Sequence, residues 1–195
     1  MGKRIVIING HPDGSEERFL HALARAYQDG ARAGGHDVRC ISIARIDFPL
    51  LRTAAEFLSC EAPPEIRQCQ ESLAWANHWV ILFPLWLGSM PAALKAFLEQ
   101  TLRPGFAFAA GAKGRLPKKL LSGKSARIVV TMGMPALFYR WYYRAHSLKS
   151  LERNILAFCG IRPVRNNVVG MVEGMSGEKR KRWLARMEAF GRAAS

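Results

Sequence analysis

Disulfide, metal and membrane chemistry have little to build on in this sequence. Its four cysteines, Cys40, Cys60, Cys69 and Cys159, form no C-x-x-C pair and lack ligand-like spacing. They read as reduced thiols of a cytoplasmic protein. The longest apolar stretch, around Trp79–Leu94, is interrupted by Pro84, Gly88, Ser89 and Pro91 and is a poor membrane span. Only four apolar residues lie between Met1-Gly2-Lys3-Arg4 and Asn9-Gly10, too few for a signal-peptide core, and Val6 stands where a myristoylation signal needs Ser or Thr. There is no H-E-x-x-H, no G-x-S-x-G and no carboxylate pair, so hydrolase and metalloenzyme readings have no anchor. The common nucleotide motifs are missing too. Gly10-His11-Pro12-Asp13-Gly14 is not G-x-G-x-x-G; Gly123-Lys124-Ser125 ends like a P-loop, but Lys118 replaces its first glycine and a strand follows it rather than precedes it.

Acidic residues are scarce in one half only. Residues 1–102 carry 10 basic and 11 acidic side chains, whereas residues 103–195 carry 19 and 4, so the whole net charge of +14 lies in the second half. The excess is densest in Lys113–Arg127, Arg140–Arg153 and Lys179–Arg186. Such a surface attracts anionic nucleotides, acidic proteins or anionic membranes, and nucleic acid without specificity.

What is present is an ordinary globular composition, 49% apolar and 23% charged, in 195 residues. That suits one domain, 1–195, with one core. Strands expected at Lys3–Ile8, Val38–Ile43, Trp79–Phe83, Ala126–Thr131 and Val164–Met171 alternate with helical stretches. The pattern predicts an α/β fold of flavodoxin-like arrangement: a five-stranded parallel sheet in order 2-1-3-4-5 with helices on both faces. Leu102–Gly123 reads as a long Gly- and Lys-rich excursion, Met132–His146 as a long aromatic loop, and Leu148–Phe158 and Glu178–Arg192 as helices.

In such a sheet the loops after strands one, three and four meet at one edge. The first, Asn9–Arg18, leads into a helix whose free N–H groups suit an anion, with His11, Ser15 and Arg18 as added donors. The second, Phe83-Pro84-Leu85-Trp86-Leu87-Gly88-Ser89-Met90-Pro91, joins an apolar strand to a helix through one large ring, one glycine and several free amides. These suit a flat, polar-edged ring system. The third holds Thr131-Met132-Gly133-Met134-Pro135.

Residue by residue, the second loop resembles the flavin-ring loop of the NAD(P)H:quinone oxidoreductases, the flavodoxin-like group that includes DT-diaphorase. The third resembles that family's Thr-Thr-Gly-Gly turn, with Met132 and Met134 as departures. In the first, His11 is kept, but Arg18-Phe19-Leu20 stands where the family has Ser-Phe-Asn. The resemblance continues through Ser150–Ile161. It implies FAD, or alternatively FMN, held by His11, Ser15, Arg18, Phe19, Pro84, Leu85, Trp86, Leu87, Gly88, Thr131, Met132, Gly133 and Met134. The Trp86, Leu87 and Gly88 amides would face the ring's N5–O4 edge, with Tyr139 and His146 as catalytic residues. It further implies hydride transfer from NAD(P)H to flavin N5, two electrons passed to a quinone-like acceptor, and a homodimer using Lys113–Lys119 and Phe138–Tyr143. Two other readings stand beside it: a regulatory subunit of the kind that accompanies potassium-efflux systems, and a basic nucleic-acid-binding protein without redox activity.

Overall fold

Uninterrupted apolar runs become central strands because both of their faces are covered. In the computed structural model, which describes residues 2–59, 61–109 and 117–195, the main sheet is parallel. Its strands are β1 (Arg4–Asn9), β2 (Asp37–Ser42), β3 (His78–Pro84), β6 (Ser125–Thr131) and β7 (Val164–Val169). Their order is β2-β1-β3-β6-β7, the expected 2-1-3-4-5 arrangement. Every residue of β3 is buried. The strand alternates sides: Trp79, Ile81 and Phe83 face one apolar cluster, Val80 and Leu82 the other. Burying an aromatic or branched aliphatic side chain of this kind contributes roughly 1.5–3 kcal/mol.

One face is covered by α3 (Pro64–Trp75), α4 (Ala92–Thr101) and a composite helix formed by α6 (His146–Lys149), a π-helical segment Ser150–Leu156 and α7 (Ala157–Cys159). The other is covered by α1 (Phe19–Ala33) and α8 (Gly177–Arg192). These two helices cross in backbone contact. A Cβ at Gly30 would lie 2.0 Å from the Glu188 carbonyl oxygen, and one at Gly191 2.1 Å from that of Tyr27, so only glycine fits there. The crossing fixes α8 against α1 and brings its first turn beside the amino end of α1, where Arg180 lies 4.8 Å from the Phe19 ring.

Several local expectations change. The aromatic loop contains a helix, α5 (Ala136–Trp141), because Pro135 frames its entry and Tyr139 is driven into the core. The long excursion carries a two-stranded antiparallel hairpin, β4 (Phe108–Ala109) with β5 (Lys118–Lys119). The irregular stretch 47–64 includes the short α2 (Ala54–Leu58), capped by the Thr53 side chain. The buried Arg103 ties it down by donating to the carbonyls of Glu56 and Glu61 at 2.9 Å and of Ser59 at 3.3 Å. Among the described residues no helix is long and apolar enough to cross a membrane.

Candidate functional site

The three loops do converge. A cleft of about 470 Å³ opens at the carboxyl edge of the sheet, within the range of small-molecule sites. Nine of the expected residues line it: His11, Arg18 and Phe19 from the first loop, Pro84, Leu85 and Trp86 from the second, Thr131, Met132 and Gly133 from the third.

A hydrogen-bond network sets the first loop. Asn9 Oδ1 accepts from the His11 amide at 3.2 Å, so its Nδ2 is the donor to His21 Nδ1 at 2.6 Å. His21 Nε2 then donates to the Asp13 carbonyl at 2.9 Å. His11 Nδ1 accepts from the Asp13 amide at 3.1 Å, which leaves the proton of the neutral ring on Nε2. Burial, and then the neighbouring His21, lower the His11 pKa below its usual value, so the ring is a neutral donor near pH 7. Its edge meets the Trp86 ring, with centroids 5.9 Å apart.

No side chain caps α1, so the amides of Phe19 and Leu20 have no partner among the described residues. They point the positive end of a 15-residue helix at the cleft. Arg18 occupies the N-cap position with extended backbone, and its Nε donates to Asp13 Oδ2 at 2.8 Å. Its Nη atoms make no hydrogen bond among the described residues. The Ser15 amide and Arg18 together hold the Asp13 carboxyl below the usual carboxylate range. Ser15 itself is exposed and outside the cleft wall; its carbonyl accepts from the Arg18 amide at 3.3 Å, a turn function rather than a ligand one.

The second loop is a tight turn. Trp86 and Ser89 exchange amide-to-carbonyl bonds of 2.9 Å, and Leu87 (φ 47°) and Gly88 (φ 78°) occupy the left-handed region between them. This is the two-residue turn with positive φ at both central positions. Leucine there is strained by roughly 1–2 kcal/mol, and its side chain is fully exposed. The Trp86 amide is consumed inside the turn, which removes one of the three expected donors; those of Leu87 and Gly88 are free among the described residues. Both residues sit at the turn tip, outside the cleft wall. A Cβ on Gly88 would meet nothing within 4 Å, so its requirement is conformational rather than steric.

The third loop is joined to a fourth that sequence reasoning missed. The amides of Met171 and Val172 donate to the carbonyls of Met134 and Met132, both at 3.2 Å, which brings Val172 and Glu173 into the cleft wall with Asp13 and Leu20. Arg180 secures this loop, its Nη2 donating to the Val172 carbonyl at 2.8 Å. Met134 is spent on that joint and does not line the cleft.

The two expected catalytic residues also lie outside the wall. Tyr139 is buried, its hydroxyl accepting from the Leu148 amide at 3.3 Å; burial raises its pKa. It is a core tyrosine that ties α5 to α6. His146 is exposed at the start of α6, after Ala145 in the left-handed region, and does not reach the cleft.

The fold has known counterparts. The family described as having a flavodoxin-like fold matches residues 3–190. The chain is 32% identical over 209 aligned positions to ribosyldihydronicotinamide dehydrogenase [quinone] of Pongo abelii, covering 94% of this chain and 88% of that protein. It is 25% identical to an FMN-dependent NADH:quinone oxidoreductase of Nitratidesulfovibrio vulgaris over 85% of each. The solved NAD(P)H:quinone oxidoreductase of Methanothermobacter marburgensis superposes over the full length of both chains with a TM-score of 0.82 at 18% identity, a likeness of fold. The chain belongs to the flavodoxin-like NAD(P)H:quinone oxidoreductases, a family of oxidoreductase enzymes.

Proposed function

We propose that the protein is a flavin-dependent NAD(P)H:quinone oxidoreductase whose flavin occupies the cleft at the carboxyl edge of the sheet. The observation that carries this reading is the convergence of an uncapped helix amino terminus, a neutral His11 and the half-exposed Trp86 on one cleft of flavin-accepting size. The residues fit the group. The Phe19 and Leu20 amides, His11 Nε2 and the free Nη atoms of Arg18 would hold the phosphate; Leu85, Trp86, Thr131, Met132 and Gly133 would hold the ring. Similarity to an FMN-dependent relative favours FMN over the FAD expected from the sequence.

When bound, the flavin supplies acceptance of hydride from NAD(P)H at N5 and delivery of two electrons to a quinone-like acceptor. The chain's task is placement. Trp86 and the buried Met132 give the ring an apolar bed that excludes water. The amides of Leu87 and Gly88 are unpaired among the described residues but sit at the turn tip outside the cleft wall, so they would serve only a ring edge that extends past Trp86. With Tyr139 buried, His146 outside the wall and His11 Nε2 assigned to the phosphate, the proton that the acceptor needs would come from solvent. We further propose a homodimer that uses the exposed aromatic face of α5 and its extension: Leu137, Phe138, Trp141, Tyr142 and Tyr143. The other expected interface, Lys113–Lys119, lies largely outside the described residues.

An absorbance spectrum tests the reading. The purified protein should show flavin bands that bleach anaerobically on addition of NADPH and return with a soluble quinone. A colourless protein that neither FMN nor FAD reconstitutes would overturn it.

A further inference from the structure

Beside the flavin cleft lies a second cavity of about 440 Å³, and the loop 170–175 is the wall between them. Val172 and Glu173 face the first; Met171 and Met175 line the second with Lys179, Arg182, Trp183 and Arg186 of α8. Those four α8 positions are spaced i, i+3, i+4 and i+7, so they share one helical face. Three cations on one face repel each other, and the acids of α8 do not relieve them. Glu178 pairs with Lys181 at 3.2 Å and Glu188 with Arg192 at 2.9 Å, while among the described residues no carboxylate pairs with Lys179, Arg182 or Arg186. Arg186 instead lies 5.2 Å from the centroid of the Trp183 ring. The cavity therefore combines unneutralised positive charge with an apolar floor of one indole and two thioethers. That combination fits a phosphorylated, planar heterocycle.

The position makes the ligand more specific. Arg180, next to this face, holds the dividing loop by its Val172 carbonyl and lies over Phe19 in the flavin cleft, so the two cavities are rigidly joined. We infer that the second cavity receives the adenosine end of the nicotinamide nucleotide and that Lys179, Arg182 and Arg186 recognise its 2′-phosphate, making NADPH the preferred donor over NADH. This rests on the functional reading above. It gives a concrete task to part of the unbalanced charge of the second half.

Calorimetric titration of the flavin-loaded protein with adenosine 2′,5′-bisphosphate and with 5′-AMP isolates the 2′-phosphate without turnover. The bisphosphate should bind about tenfold or more tightly than 5′-AMP, the worth of one charge-assisted contact. The double variant Arg182→Ala/Arg186→Ala, both side chains exposed, should erase that difference, and in steady state its KM should rise about tenfold more for NADPH than for NADH. Equal affinities for the two adenosine phosphates, or a difference that survives the double variant, would overturn the inference. So would bisphosphate binding that appears only after flavin is removed, because the cavity would then belong to the flavin's own adenosine. A protein that neither FMN nor FAD loads would sink the functional reading instead; titrated as it stands, it still reads the cavity, and equal affinities for the two adenosine phosphates there would overturn the inference as well.

Discussion

Replacing Arg18 by alanine is the sharpest test of the first loop, because the structure changes the size of the effect expected. A guanidinium on a phosphate contributes roughly 1.5–3 kcal/mol, which would weaken flavin binding by one to two orders of magnitude. The Arg18 side chain, however, is 57% exposed and its Nε already faces the Asp13 carboxylate at 2.8 Å. Solvent screening and that competing partner both reduce its net worth. Arg18→Ala should therefore raise the Kd for FMN by about fivefold to tenfold, just below the charge-assisted range. Asp13→Asn makes the opposite prediction. Its amide oxygen can still accept the Ser15 amide, the negative charge beside the phosphate cradle is gone, and Arg18 is released, so FMN should bind a few-fold tighter. In the Asp13→Asn background the cost of Arg18→Ala should grow toward the full charge-assisted value. Titration of apo-protein with FMN across the four proteins of this cycle measures the coupling. Unchanged dissociation constants on removal of Arg18 in both backgrounds would place the phosphate elsewhere. Weaker binding in Asp13→Asn would show that the carboxylate builds the loop more than it repels the ligand.

Two further outcomes follow from buried polar groups far from the cleft. His78 is almost fully buried at the amino end of β3, its Nδ1 is 2.7 Å from Ser125 Oγ, and burial together with Lys3, Arg127, Arg165 and His36 lowers its pKa to about 3. A histidine depressed on folding takes up its proton first in the unfolded chain, so stability is full above pH 6.5 and is lost as pH falls from 6.5 towards 3. Urea unfolding should show a loss of about 1.4 kcal/mol per pH unit in that window from this residue, and His78→Gln should remove that share of the slope. An unaltered slope in the variant would refute it. Arg103→Met should cost roughly 2–3 kcal/mol, because three carbonyls of the 56–61 stretch lose a charged donor, and should speed proteolysis there before the rest of the chain. Parent-like urea midpoints and cleavage rates would rule that out.

The sheet was readable because its strands are specified locally. Ile5–Ile8, Val80–Phe83 and Ile128–Val130 are apolar runs that only a two-sided burial explains, and Gly34-Gly35 and the prolines mark the gaps between elements. The α5 helix was not readable. Ala136–Trp141 is short, and its aromatic residues favour no helical face on their own; only one residue of it, Tyr139, is buried, and that choice is made by α6 and the core rather than by neighbours in sequence. The same cause places Tyr139 in the core rather than in the cleft wall. A tyrosine one turn along a helix from the cleft looks identical in sequence to one that lines it.

At the site, the residues that were legible are those whose role is fixed by their place on a strand end. Pro84, Leu85, Trp86, Thr131 and Met132 follow directly from β3 and β6, so topology alone carries them into the cleft. Ser15 lies outside the cleft wall because a hydroxyl in a polar loop carries no direction, and Asp13 takes the inner position by closing back on Arg18. Val172 and Glu173 carry no chemical signature, yet the rule that located the other loops applies equally to the fifth strand. β7 ends at Val169 on the same edge, and its loop is drawn in by the Met132 and Met134 carbonyls and held by Arg180. A site at a sheet edge is therefore enumerated by strand ends before it is searched for reactive side chains. The wall between the carboxyl-edge cleft and the basic cavity is such a strand-end loop, and no motif marks it.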